Sequence, residues 1–217
     1  VKIEIWSDVV CPWCYIGKRR LEHALNEFEH ADEVEITWRS FQLNPDTPKG
    51  TAVPTMEYLA RRFGPQSKAM TGQVAELARA EGLDFDFDAA LTVNTLDAHR
   101  LLHLANDLGI GDAAKERLLR AHFTEGADLS DRDTLVALLS EVGAEPDRAR
   151  AVLASREYAD AVRDDFEEAD RLGANGVPFF VIDRKYGISG AQPAEAFLRA
   201  LRTAYADEAG DRSPASR

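Results

Sequence analysis

Cys11 and Cys14 are the only two thiols in the 217-residue chain, and only Pro12 and Trp13 separate them. Sulfurs one helical turn apart can form a short disulfide, hold part of a metal site, or trade electrons with another disulfide. As a staple the pair is weak, because so small a loop constrains the unfolded chain by only about 2 kcal/mol. Zinc needs three or four protein ligands, and the chain has no second cysteine pair. His23 lies at the far end of the same stretch. His99 and His103 are four residues apart but lack the acid of an HExxH motif. Disulfide exchange is the chemistry the pair fits, with no metal.

Position sharpens the reading. The pair follows a strand-like run, "KIEIW" (2–6), and opens a segment with helical apolar spacing: Gly17, Leu21, Ala24, Leu25 and Phe28. Pro12 suits the first helical position, where its missing N–H costs nothing. Cys11 then becomes the N-cap. Free helix amides and the dipole are expected to favour its thiolate, giving a lowered pKa and the role of nucleophile. Cys14 leans back and inward, and is expected to be the buried, resolving partner.

The rest of the chain must hold that turn. "EVEITWRSF" (33–41) alternates again, completing a βαβ unit, and "QLNPDTPKGTAVP" (42–54) reads as loop. From about 55 to 172 the patterns are helical. Asn94 is the expected cap of a helix ending at Gly109, Ser130 precedes another, and 155–173 reads as one charged helix. "NGVPFFVID" (175–183) and "KYGISG" (185–190) then form an expected hairpin, followed by a helix over 192–206. The fold class is therefore α/β, βαβ … ββα, with a large all-helical insertion. The expected division is 1–53 with 173–207, an insertion at 54–172, and a polar tail at 208–217.

Composition narrows the function. Hydrophobic content of 45% and charged content of 29% are those of a globular protein, and the formal net charge is -12. Nucleic acids and anionic membranes call for basic surface, so neither is an expected partner. No run approaches a membrane span, and no signal-like segment opens the chain, so a cytoplasmic location is expected. Neither GxGxxG nor a P-loop is present.

Three stretches carry a resemblance: "SDVVCPWCYIG" (7–17), "WRSFQLNP" (38–45) with "NTLDAHRLLHLA" (94–105), and "GVPFFVIDRKYGISGAQP" (176–193). Together they resemble the thioredoxin-fold DsbA family. More narrowly they resemble its FrnE-like cytosolic branch, near 2-hydroxychromene-2-carboxylate isomerase and kappa-class glutathione transferase. The resemblance implies that Pro178 is a cis-proline facing the disulfide. Val177 before it would then offer its backbone to an extended peptide. Pro12 and Trp13 would join them in substrate binding, with Trp13 at the site mouth or, alternatively, in the core. Asp8 could moderate Cys11 or cap a loop. Asn94, Thr95, His99 and Arg100 match a stretch that lines a glutathione or substrate cleft in the relatives; a helix cap and a solvated face is the alternative. The implied activity is thiol–disulfide exchange with cysteine-containing proteins or peptides. It uses a thiol electron donor and no cofactor beyond the cysteine pair, with glutathione as a candidate co-substrate. The alternative is a glutathione-dependent isomerase or transferase. The transferases resemble this chain but carry serine where it has Cys11 and Cys14.

Overall fold

A computed structural model describes residues 1–212. Four strands form the main sheet in the order β2-β1-β5-β6: β1 (Lys2–Ser7), β2 (Glu35–Ser40), β5 (Phe179–Ile182) and β6 (Tyr186–Ser189). β1 runs parallel to β2 and antiparallel to β5, and β5 is antiparallel to β6. The β5–β6 turn has Asp183 and Arg184 at φ 48° and 54°, with the Lys185 N–H donating to Ile182 O at 3.0 Å. Two successive positive φ angles make this a type I′ turn, whose twist matches that of the strands.

Alternation along β1 sorts the sheet faces. Ile3 and Ile5 join Trp38, Phe180 and Ile182 under α1 (Pro12–Glu27) and the closing helix α9 (Ala194–Arg212). Trp6 faces the other way, against Phe179, Val181 and Ala169. Ala169 belongs to α8 (Ala159–Arg171), which Asp165 pins to the sheet. Its carboxylate accepts from Ser40 N at 2.7 Å and contacts His103 Nε2 at 3.0 Å, and its main-chain oxygen accepts from Trp6 Nε1 at 2.7 Å.

Between β2 and β5 lie seven helices. They are α2 (Thr55–Phe63), α3 (Ser67–Ala80), α4 (Leu96–Asp107), α5 (Gly111–Phe123), α6 (Arg132–Glu141), α7 (Pro146–Ala154) and α8. Their main core includes Leu101, Leu118, Leu135 and Val152, and it also takes in Val9 from the loop before Cys11. Tyr15 and Ile16 of α1 pack into another cluster with Leu119 and Phe123. The cysteine turn is therefore wedged between sheet and insertion, with apolar anchors on both sides.

Four expectations need revision. The insertion also holds a two-stranded ladder, β3 (Ala52–Pro54) with β4 (Leu91–Val93), too short to show a period. Asp131, not Ser130, caps α6, accepting from Thr134 N at 2.8 Å. The charged helix starts at Ala159, because α7 ends at Ala154 and the chain turns through Tyr158 at φ 62°. α9 continues to Arg212, so 208–212 are helical and not tail; 213–217 of that segment lie outside the described residues.

Candidate active site

Cys11 occupies the N-cap of α1 with extended backbone (φ -95°, ψ 114°), and Pro12 takes the first helical position. The Cys14 N–H donates to Cys11 O at 3.1 Å, closing the first turn. The Cys11 sulfur, however, makes no capping bond to the helix amides. It turns instead toward the loop before β5, where its S–H donates to Val177 O at 3.6 Å. The Val177–Pro178 peptide bond is cis. Pro178 O accepts from Gly190 N at 2.8 Å, while Val177 lies just outside the β5 ladder.

Gly17 sets how closely α1 approaches this loop. A β-carbon there would lie 3.0 Å from Pro178 Cγ and 3.2 Å from the Phe180 ring. Only a residue without a side chain lets the helix carrying both cysteines sit this near β5.

Both thiols are buried, and both are free in this structure. The expected acidification of Cys11 by the helix amides has no capping bond behind it in this structure. The Cys11 pKa is held well above the ordinary value by the neighbouring Cys14 sulfur, by burial, and by the negative charge on Cys14 and Asp8. Cys14 is the lowered one. Burial opposes its thiolate, but the neighbouring Cys11 thiol, the charge of Lys115, the Ser7 hydroxyl and the Asp8 amide outweigh it. The two thiols titrate as one pair and share a proton between them.

Cys11 nevertheless holds the outward position. It lines a cleft of about 430 Å³ together with Pro12, Trp13 and Val177, whereas Cys14 and Pro178 lie behind the wall. The opposite wall is built by α2, α3 and the 42–54 loop. Trp13, Leu43, Phe63 and Met70 all face this cleft and remain 38% to 44% exposed. Large apolar side chains left this open around one mouth mark a binding surface. Trp13 thus stands at the mouth and not in the core.

The other expected site residues sit elsewhere. None of Asp8, Asn94, His99 and Arg100 lines the cleft. Asp8 is fully buried, accepting from Val9 N and Leu43 N at 2.8 Å and contacting His99 Nε2 at 3.0 Å. Burial opposes its ionisation, but His99, the Leu43 amide and Lys115 hold the carboxyl below its usual range. Asn94 ties the 42–54 loop down, donating to Pro45 O at 3.3 Å and Thr47 O at 2.7 Å; its Oδ1 accepts from Leu96 N at 3.0 Å. Thr95 is the buried N-cap of α4. Arg100 points away from the cleft, donating to Glu157 O and Ser155 O at 2.8 Å and also to Val152 O. It gathers carbonyls from the last turn of α7 and the turn that follows it.

Two residues of α5 were missed. Lys115 and His122 are seven apart, on the stripe that also carries Leu118 and Leu119, and both are buried. Burial pushes His122 down to about 4 and Lys115 down to about 8. Basic residues at apolar spacing were the available signal. Among the described residues, no group of three or more His, Cys, Asp or Glu side chains could hold a metal ion.

Comparison with known proteins agrees with this geometry. A family model described as the DsbA-like thioredoxin domain matches residues 2–202. A probable DsbA oxidoreductase from Streptomyces coelicolor superposes with TM-score 0.90 at 43% identity, covering 100% of this chain and 93% of its own. The uncharacterized protein YwbO of Bacillus subtilis (strain 168) is 28% identical over 209 residues, which are 93% of this chain and 96% of that protein. The cytosolic disulfide reductase DsbM of Pseudomonas aeruginosa shares the fold at 21% identity and TM-score 0.67, covering 94% of this chain and 98% of its own. With the fold, the cysteine pair and the match to residues 2–202 in agreement, the chain belongs to the DsbA-like thioredoxin-domain family.

Proposed function

We propose that the protein is a thiol–disulfide oxidoreductase that exchanges disulfides with cysteine-containing proteins or peptides. The observation that carries this reading is the paired arrangement of sulfurs: Cys11 opens onto an apolar cleft while Cys14 waits behind it. In the reducing direction Cys11 attacks, as its thiolate, one sulfur of a substrate disulfide. A mixed disulfide forms, and one substrate thiolate leaves. Cys14 gives its proton to the departing thiolate and then attacks Cys11, closing the disulfide and releasing the second substrate sulfur. The substrate gains the two electrons that the pair loses, and a thiol donor restores the pair.

Trp13 and the apolar walls suit unfolded or extended chain. Val177, outside the ladder, offers backbone for a strand-like segment, with Pro178 shaping that wall. Such contacts tolerate varied sequences. The solved structures include the cytosolic reductase DsbM, one of them with GSH, which favours a cytoplasmic setting and a glutathione-type donor here. Among the described residues no helix is long and apolar enough to cross a membrane. An isomerase described as acting on 2-hydroxychromene-2-carboxylate has the same fold at 14% identity. Isothermal titration with glutathione, run beside insulin reduction, separates the two readings. Reduction that requires both cysteines supports exchange; glutathione binding with no reduction would falsify it.

A further inference from the structure

The cleft beside Cys11 is walled almost entirely by uncharged side chains. Among the residues that line it, Arg62 is the only lysine, arginine, aspartate or glutamate. It stands in the last turn of α2, on the wall opposite Cys11, in a chain with a formal net charge of -12. Its neighbour Arg61 pairs with Glu57 one turn back. Among the described residues no carboxylate pairs with Arg62. Its partners are neutral: Nη1 donates to Tyr58 Oη at 2.8 Å and to Asn44 Oδ1 at 3.3 Å. The guanidinium carbon lies 5.5 Å from the centre of the Phe63 ring.

Two features set Arg62 apart from an ordinary surface arginine. The first is fixation. Tyr58 Oη donates to Asn44 Oδ1 at 2.9 Å, so Tyr58, Asn44 and Arg62 close a ring of polar groups, all lining the cleft. Asn44 sits in the 42–54 loop, and Asn94 anchors that loop through Pro45 O and Thr47 O. A guanidinium already held loses less freedom when a ligand arrives. The second is a free edge. Both hydrogen bonds leave from Nη1, so the Nε–Nη2 edge keeps its donors. The parallel N–H groups on that edge match the two oxygens of a carboxylate.

We propose that Arg62 is a specificity-determining residue: it receives a carboxylate of the disulfide substrate, so the cleft prefers a polypeptide with an aspartate or glutamate near the attacked cysteine. The proposal rests on the exchange chemistry above and names the substrate class for it. Backbone contacts at Val177 carry no charge bias, and the apolar wall of Trp13, Leu43, Phe63 and Met70 carries none either. An acidic protein repels acidic partners over its whole surface, so without a local cation this cleft would favour basic chains. A fixed guanidinium on its wall reverses that preference. Glutathione disulfide carries the same carboxylate chemistry on a smaller frame, and the test separates the two sources.

A peptide disulfide made with Glu, Gln or Lys beside the cysteine tests this, with glutathione disulfide as a separate arm. Single-turnover oxidation of the reduced protein, quenched in acid, gives a half-saturating concentration and a maximal rate for each. With the unaltered protein at low salt, the Glu form should half-saturate at about one-fifth the concentration of the Gln form, with the Lys form weakest. The gap should shrink as salt is added. Arg62→Gln should remove the difference between Glu and Gln, and Arg62→Glu should place Lys first. Arg62 is exposed, so neither change touches the core. No preference in the unaltered protein, or one that survives Arg62→Gln, overturns the proposal. Dependence on Arg62 confined to glutathione disulfide overturns the choice of a polypeptide. Isothermal titration of the same peptides with S-methylated cysteines keeps the two readings apart. If no peptide is reduced, yet the Glu form binds more tightly than the Gln form only when Arg62 is present, the exchange reading fails and Arg62 keeps its role. If all the peptides are reduced alike, the exchange reading stands and Arg62 loses that role.

Discussion

The thiol of Cys11 points at the backbone carbonyl of Val177, 3.6 Å away. That contact joins the helix that carries the chemistry to the strand loop that would present a substrate. It also places Cys11, and not Cys14, where an incoming disulfide arrives. Cys11→Ser should therefore abolish reduction of insulin. Cys14→Ser should retain the first attack and accumulate mixed disulfides, visible by mass spectrometry of acid-quenched samples. Two variants with the same phenotype would show the roles to be wrongly divided.

The shared proton makes the redox effect on stability depend on pH. Cys14 is an acid with a lowered folded pKa. Its stabilisation is full above the unfolded thiol value of about 8.5 and is lost as pH falls through the folded one. Cys11 is raised, so the folded protein keeps that proton after the unfolded chain has released its own, and stability declines above about 8.5. Against these stands a disulfide loop worth only about 2 kcal/mol. The reduced form should thus melt above the oxidised form near pH 8, with the gap narrowing on both the acid and the strongly alkaline side. Paired melts with and without reductant check this, and an oxidised form that melts higher throughout contradicts it.

His122 should contribute to acid lability. The unfolded side chain takes a proton below about 6.5, whereas the buried one resists until about 4. The unfolded chain then binds more protons, so stability falls as pH drops through that window, by up to about 3 kcal/mol. His122→Gln should lose less stability than the unaltered protein between pH 7 and pH 4.5 in urea titrations. Equal losses would mean that His122 already titrates freely in the fold.

Arg100 offers the opposite contrast, structure without chemistry. Replacement by alanine strands several carbonyls at the end of α7 and leaves Asp97 to its second partner, Arg132, alone. The expected cost is about 3 kcal/mol. The exchange rate per folded molecule should not change. A selective loss of glutathione binding in a fully folded Arg100→Ala protein would restore it to the cleft.

What the sequence showed and hid follows from the range of each signal. The cysteine turn is local: a strand, Cys11, Pro12 and a helical period suffice to build it, and Trp13 and Val177 then reach the same cleft. The hairpin through Asp183 and Arg184 is also local. Lys18 lies off the apolar stripe of α1 yet is buried, because α5 brings Asp112 and Glu116 to it, which helical spacing cannot show. Arg100 was misplaced for the same reason: its partners belong to α7 and the turn after it. The tilt of Cys11 toward Val177 depends on a contact 166 residues away. No short-range rule could supply it.

The sheet order has a consequence for biosynthesis. β1 lies between β2 and β5, yet β5 is made only after the whole helical insertion. On the ribosome the two sulfurs therefore emerge before the insertion, while the residue whose carbonyl engages Cys11 and the strand that covers Trp6 follow only after it. For most of its synthesis the nascent chain carries two reactive sulfurs without their wall.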